Sequence, residues 1–311
     1  MRIQAIPLLC ASVLLSAGTL YASSERALGN GQAIITVESK DENKPAPLDP
    51  GTLRLRIDGK AATVTGLQSL DSPATPVELV VLIDNGLRSS IGNQLSEITA
   101  FVREIPSQTR VAIAYMENGR AVFASPLTAD AKVAEKGIRL PGGMPGSSAS
   151  PYFCLSDLAK NWPSSDVNAR RIVVMISDGI DPYNPRFDPD DSYMQRSIQD
   201  LIHAGIQVNS FVWADSRNRS FSQDGQSLLI MVSDATGGKV YGEGFNSPVS
   251  FQPFFSALRK ELRNQYRIRF TAPLGSKAEI LRMELKTSGT SAKLVAPQQV
   301  LVTPGAAALK E

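Results

Sequence analysis

Four apolar runs that fail to alternate constrain this chain more than any other feature. They are "VELVVLID" (Val77–Asp84), "RVAIAYM" (Arg110–Met116), "RRIVVMISD" (Arg170–Asp178) and "IQVNSFVW" (Ile206–Trp213). A strand with one wet face alternates apolar and polar residues, whereas a β-branched run without alternation needs cover on both faces, as in a mainly parallel sheet. Amphipathic segments lie between the runs. Ile91, Leu95, Ile98, Val102 and Ile105 form one apolar stripe, with Ser89 or Ser90 as N-cap. Met194, Ile198, Leu201 and Ile202 form another, stopped by Gly205. Strand and helix in repeated succession predict a doubly wound, mainly parallel α/β domain over residues 77–263.

The flanks read differently. In "TLRLRID", Leu53, Leu55 and Ile57 alternate with Thr52, Arg54, Arg56 and Asp58, the pattern of a half-exposed strand. The stretches "YRIRFTAP", "EILRMELKT" and "KLVAPQQVLV" return to β character near the end. The expectation is an N-terminal β segment over residues 25–76 packing with C-terminal strands over 264–303, followed by a flexible tail, 304–311. Residues 1–24 carry one early Arg2, an apolar run and small residues before Glu25, the pattern of an export signal. Export to periplasm or medium is therefore expected, with no integral membrane segment once the signal is removed. Cys10 leaves with the signal and Cys154 stays alone, so no disulfide can form within the mature chain.

Composition removes several function classes. With 32 basic and 30 acidic residues and no block of like charge, the chain has no dedicated nucleic-acid surface. A single histidine, His203 near a helix end, and one remaining cysteine exclude zinc clusters and make a Ser-His-Asp triad improbable. "DNGLRSSIG" and "TGGKV" lack the spacing of nucleotide-binding loops and read as turns. In an open α/β sheet the ligand crevice lies beyond the carboxyl ends of the strands, where strand order reverses. Asp84 and Asp178 end two of the runs and are expected in that crevice. Two carboxylates brought close in a desolvated place require a shared proton or a cation between them.

The succession of "VVLID", capped helix, Gly-rich loop with serines and "VVMISDG" resembles the von Willebrand factor type A domain. With the export signal, "LRIDGK" and "YRIRF...KLVAP", it resembles the exported bacterial proteins related to that family. The resemblance implies a metal-ion-dependent adhesion site with a D-x-S-x-S motif, a hydroxyl from a second loop and a later aspartate. Asp84 and Asp178 match the two acids, and Ser150 or Ser148 matches the second-loop hydroxyl. Gly86 and Arg88 stand where the two serines belong, so the motif is degenerate. One alignment has Arg88 neutralising Asp84 or Asp178 as a built-in cation; another brings Ser89 and Ser90 in as ligands after a short bulge.

The expected function is a non-enzymatic, exported protein-binding or adhesion-type module using the carboxyl-end face of the sheet. It would carry no cofactor, or weakly bound Mg²⁺ or Mn²⁺ at Asp84, Ser150 and Asp178. Candidate contacts to another protein or surface component are Arg88, Asp188, Asp190 and Asp191. The plainer reading of the last three is a solvated loop in which Asp191 or Ser192 caps the next helix. The alternative function is a structural spacer in a cell-envelope assembly, with a hydrolytic enzyme third.

Overall fold

The computed structural model describes residues 28–38 and 48–305, apart from 73, 107, 143, 145, 215–218, 243, 245 and 289–292. The expected export signal, residues 1–24, and residues 306–311 of the expected tail lie outside the described residues. Chain order begins with strands β1 (Leu28–Glu38), β2 (Leu53–Ile57) and β3 (Lys60–Ser69). The α/β part then runs β4 (Val77–Asp84), α1 (Leu95–Arg103), β5 (Thr109–Glu117), β6 (Arg120–Phe123), α2 (Ala131–Glu135), α3 (Pro151–Lys160) and β7 (Arg170–Ser177). It continues with α4 (Ser192–Ala204), β8 (Ile206–Val212), α5 (Arg219–Thr236), β9 (Val240–Tyr241) and α6 (Gln252–Arg263). The chain closes with β10 (Gln265–Pro273), β11 (Glu279–Thr287), β12 (Lys293–Val295) and β13 (Gln299–Pro304). Pro304 therefore ends a strand rather than opening the tail.

The central sheet has the order β6-β5-β4-β7-β8-β9. All its pairings are parallel except the hairpin of β5 with β6. Every residue of β4 and β8 is buried, which is why these runs do not alternate. Val80 and Leu82 face one layer of helices with Leu155, Leu158, Ile198, Leu201 and Val232, from α3, α4 and α5. Leu79, Val81 and Ile83 face the other layer, with Ile98, Phe101, Phe255 and Leu258 from α1 and α6. Each such side chain, fully removed from water, contributes about 1.5–3 kcal/mol. The fold class is thus α/β with helices on both faces, and strand order reverses between β4 and β7.

Helix ends follow local chemistry. Gly205 closes α4 at φ 65°, a left-handed backbone that a Cβ would penalise. Asp191 caps α4, accepting from the amides of Tyr193 and Met194, which is the plainer of the two readings of that loop. The segment before α1 departs from expectation. Ser89–Gln94 forms a 3-10 turn preceded by Arg88, without a side-chain cap, so neither serine caps the helix.

The flanking strands form one antiparallel sheet. Its hydrogen bonds run β1-β10-β3-β2-β11-β13 and return to β1, a closed ring, with β12 as an extra partner of β1. Closure leaves no open edge around the ring, a physical solution to edge-to-edge aggregation. Leu53, Leu55 and Ile57 point inward with Ile35, Ile268, Phe270 and Val302, while Arg54 and Arg56 point out. Gly31 sits where an added Cβ would lie 2.3 Å from the Phe270 ring. The barrel joins the α/β part through a buried polar chain: Arg170 donates to Gln265 Oε1 (2.9 Å), and Gln265 donates to Gln207 Oε1 (2.8 Å). Among the described residues, no helix is long and apolar enough to cross a membrane.

A carboxyl-end crevice between β4 and β7

The reversal of strand order opens a crevice of about 570 Å³, lined by Asp84, Gly86, Arg88, Ser148, Asp178 and Trp213 among others. Asp84 ends β4 and is almost fully buried. Its Oδ1 accepts from the Gly86 amide at 2.8 Å, and its Oδ2 accepts from Ser177 Oγ at 3.0 Å. Ser177 Oγ in turn accepts from the Gly179 amide at 3.0 Å, so this hydroxyl fixes both the acid and the turn after β7. Ser148 also hydrogen-bonds to Asp84. Burial holds the Asp84 pKa above its ordinary value despite these three donors.

Asp178 follows β7 and is half-buried on the same crevice. Its Oδ1 accepts from the Ile180 amide at 2.9 Å. Loss of water pushes its pKa up to about 7; the negative charge of Asp84 adds to this, and the positive charge of Arg88 opposes it more weakly. The two acids therefore meet and repel. A third carboxyl, Asp181, is also raised by burial but takes a local role, accepting from Ser150 Oγ at 2.6 Å.

Of the residues that the sequence singles out, some line the crevice and others do not. Asp84, Asp178 and Arg88 all line it. Ser150 does not: it is the N-cap of α3, accepts from the Tyr152 amide, and donates to Asp181. Its hydroxyl is engaged because the chain turns into a helix at that residue. Ser148, two residues earlier, is the one that faces Asp84. Of the serines in the competing alignment, Ser90 lines the crevice and both are exposed. Asp188 forms a local turn, accepting from the Asp190 amide at 3.0 Å, and Asp190 is exposed; neither they nor Asp191 line the crevice.

Ser177 was missed in the sequence. Its only signal was adjacency to Asp178 in "ISDG", since nothing local reveals that it reaches across to the next strand. Asn85 was also unassigned. Its side chain accepts from the Gly142 amide (2.7 Å) and from Arg139 (3.1 Å), and donates to Glu117 (3.2 Å), tying the Gly-rich loop to the end of β4.

The oxygen donors here are a poor fit to a dedicated Mg²⁺ site. That ion demands near-octahedral oxygens, whereas the positions two and four residues after Asp84 are Gly86 and the cation Arg88. A Cβ on Gly86 would stand 3.2 Å from Asp84 Oδ1 and 3.3 Å from the Met144 carbonyl, a tight fit that a small side chain enters only if these neighbours give by a few tenths of an ångström.

No family model matches the chain, and no curated protein does. Solved structures that match it do so at low identity. The conserved hypothetical protein BatB from Bacteroides thetaiotaomicron is 14% identical with a TM-score of 0.44, over 60% of this chain and 97% of that one. The VWA domain of SpRpn10 is 10% identical with a TM-score of 0.40, over 60% and 94%. The pilus adhesin SpaC from Lactobacillus rhamnosus GG is 8% identical with a TM-score of 0.45; the match takes in 86% of this chain and half of that one.

Proposed function

We propose that this chain is an exported, non-enzymatic binding module of von Willebrand factor A-like type that recognises another protein through the carboxyl-end face of its α/β sheet, with weak or no dependence on metal. One observation carries the reading. Two acids at the reversal of strand order share an open crevice with a guanidinium, Arg88, where a metal-bearing relative of this kind would hold serines. Such a wall offers a partner carboxylate a charge-assisted contact at Arg88 and offers partner hydroxyls or amides the acceptors of Asp84 and Asp178. Catalysis has little to work with there. The crevice lining contains no histidine, lysine or cysteine among the described residues, and the thiol of Cys154 is buried elsewhere.

The test is isothermal titration of the mature protein with Mg²⁺ and Mn²⁺, beside the double variant Gly86→Ser/Arg88→Ser. The expected result is no saturable micromolar binding by the natural chain and a gain in affinity of at least tenfold in the double variant. Micromolar binding by the natural chain that vanishes in Asp84→Ala would overturn the metal-independent reading. A second reading, a structural spacer, is favoured by the buried polar chain Arg170–Gln265–Gln207, which couples barrel and α/β part as one piece. Partner capture from the source envelope unchanged in Arg88→Gln and Asp84→Asn would favour the spacer.

A further inference from the structure

A second cavity, of about 620 Å³, lies at the opposite end of the α/β part, between the outer face of the barrel and the amino ends of β7 and β8. It belongs to neither acid of the crevice. On one side stand Arg267 and Arg269, successive outward residues of β10 whose neighbours Ile268 and Phe270 fill the barrel. Facing them are the end of α4, with Ile202 and Gly205, and Arg171 of β7. Pro297 and Leu301 add apolar wall from the segment around β13. The size falls within the usual range of small-molecule sites, which favour junctions between domains.

The charge of this lining is one-sided. It contains three arginines and, among the described residues, no aspartate or glutamate. Arg171 is already compensated: its Nε lies 4.0 Å from Glu78, and it donates to the Ala204 and Ser164 carbonyls. Arg267 and Arg269 are not. Neither has an ion-pair partner among the described residues, and Arg267 reaches only the Asn168 carbonyl at 3.4 Å. Burial and the adjacent positive charge of Arg269 depress the Arg267 pKa, the response of a cation held without a counter-ion. Two uncompensated guanidiniums beside an apolar wall suit a ligand that brings its own negative charge and an apolar body.

We infer that the cavity between barrel and α/β part binds a small amphipathic anion, its acidic head on Arg267 and Arg269 and its apolar body against Ile202, Pro297 and Leu301. The head is a carboxylate or a phosphate; the guanidinium fork donates to either. Calorimetric titration of the full mature chain with octanoate, octyl phosphate, inorganic phosphate and octyltrimethylammonium tests this. Saturable one-to-one binding of at least one octyl anion is expected, with no binding of the cation. Whichever octyl anion binds more tightly identifies the head. The variant Arg267→Gln/Arg269→Gln should weaken that binding at least tenfold while keeping its thermal midpoint, since both side chains lie outside the barrel core. Arg88→Gln, in the other cleft, should leave it unchanged. Absence of binding by both octyl anions, affinity undiminished in the double variant, or inorganic phosphate binding as tightly as its octyl ester would each overturn the inference.

Discussion

Strand β4 carries a buried acid near each end, and the two are treated in opposite ways. Glu78, at the amino end, is fully buried and surrounded by opposite charge and donors: it pairs with Arg110, accepts from Trp162 Nε1 at 2.6 Å, and has Arg171 at 4.0 Å. Asp84, at the carboxyl end, accepts from neutral donors, the Gly86 amide and Ser177 Oγ, and faces a second acid, Asp178. A charge that the fold neutralises internally is a structural part. A charge left next to its like, on an open cleft, is chemically available to something outside the chain. The difference teaches that burial alone does not mark a site; the sign of the neighbours does.

The largest effect that can break this comparison is at the amino end. Glu78→Ala should cost about 3 kcal/mol in unfolding free energy, because it strands Arg110, Arg171 and the Trp162 donor around an uncompensated void. Urea denaturation measures it, and a loss below about 1 kcal/mol would contradict a structural role for Glu78.

At the carboxyl end the sign reverses. Asp178 has a folded pKa raised to about 7 against an ordinary carboxylate value, so the folded state holds its proton more tightly than the unfolded state does. Its contribution is therefore favourable in acid and is lost as pH rises from about 4 through 7. Asp178→Asn removes that loss. The variant's stability advantage over the natural chain should therefore grow by on the order of 2 kcal/mol between about pH 5 and pH 8, and vanish only near about pH 3 to 4. Melting curves across this range read it directly; a variant destabilised at pH 8 would mean that the carboxylate is paired rather than opposed.

A smaller effect sharpens the same contrast. Ser177→Ala deletes a donor to Asp84 and an acceptor for the Gly179 amide, and should cost about 1 kcal/mol. Chemical denaturation at pH 8 checks it, and a neutral result would show that water replaces the hydroxyl.

Most of the α/β part was legible in the chain because burial on two faces leaves a direct imprint: a strand such as β8, with no wet side, has no reason to alternate. Gly205 and the stripe Met194–Ile198–Leu201 gave the end and face of α4 for similarly local reasons. The site was legible only in part. Asp84 and Asp178 could be placed because a strand end is a local property, and the crossing rule of open sheets does the rest. The choice between Ser148 and Ser150 could not be made, because it depends on which of two neighbouring backbone turns begins α3. The start of α1 was misread for a related reason: a 3-10 turn satisfies the same apolar spacing while placing Ser89 and Ser90 inside the turn instead of ahead of it.

Sequence by itself therefore determined which segments are double-faced strands, where the helices present their apolar stripes, and which acids stand at strand ends, since each follows from periodicity within a few residues. Only the tertiary structure decided that the two flanks close into one barrel, that Ser177 reaches the acid of a neighbouring strand, and that Arg267 and Arg269 stand over a cavity with no ion-pair partner among the described residues. Those outcomes depend on contacts between residues far apart in the chain, and no local pattern records the distance or the sign of a neighbour that folding has yet to bring near.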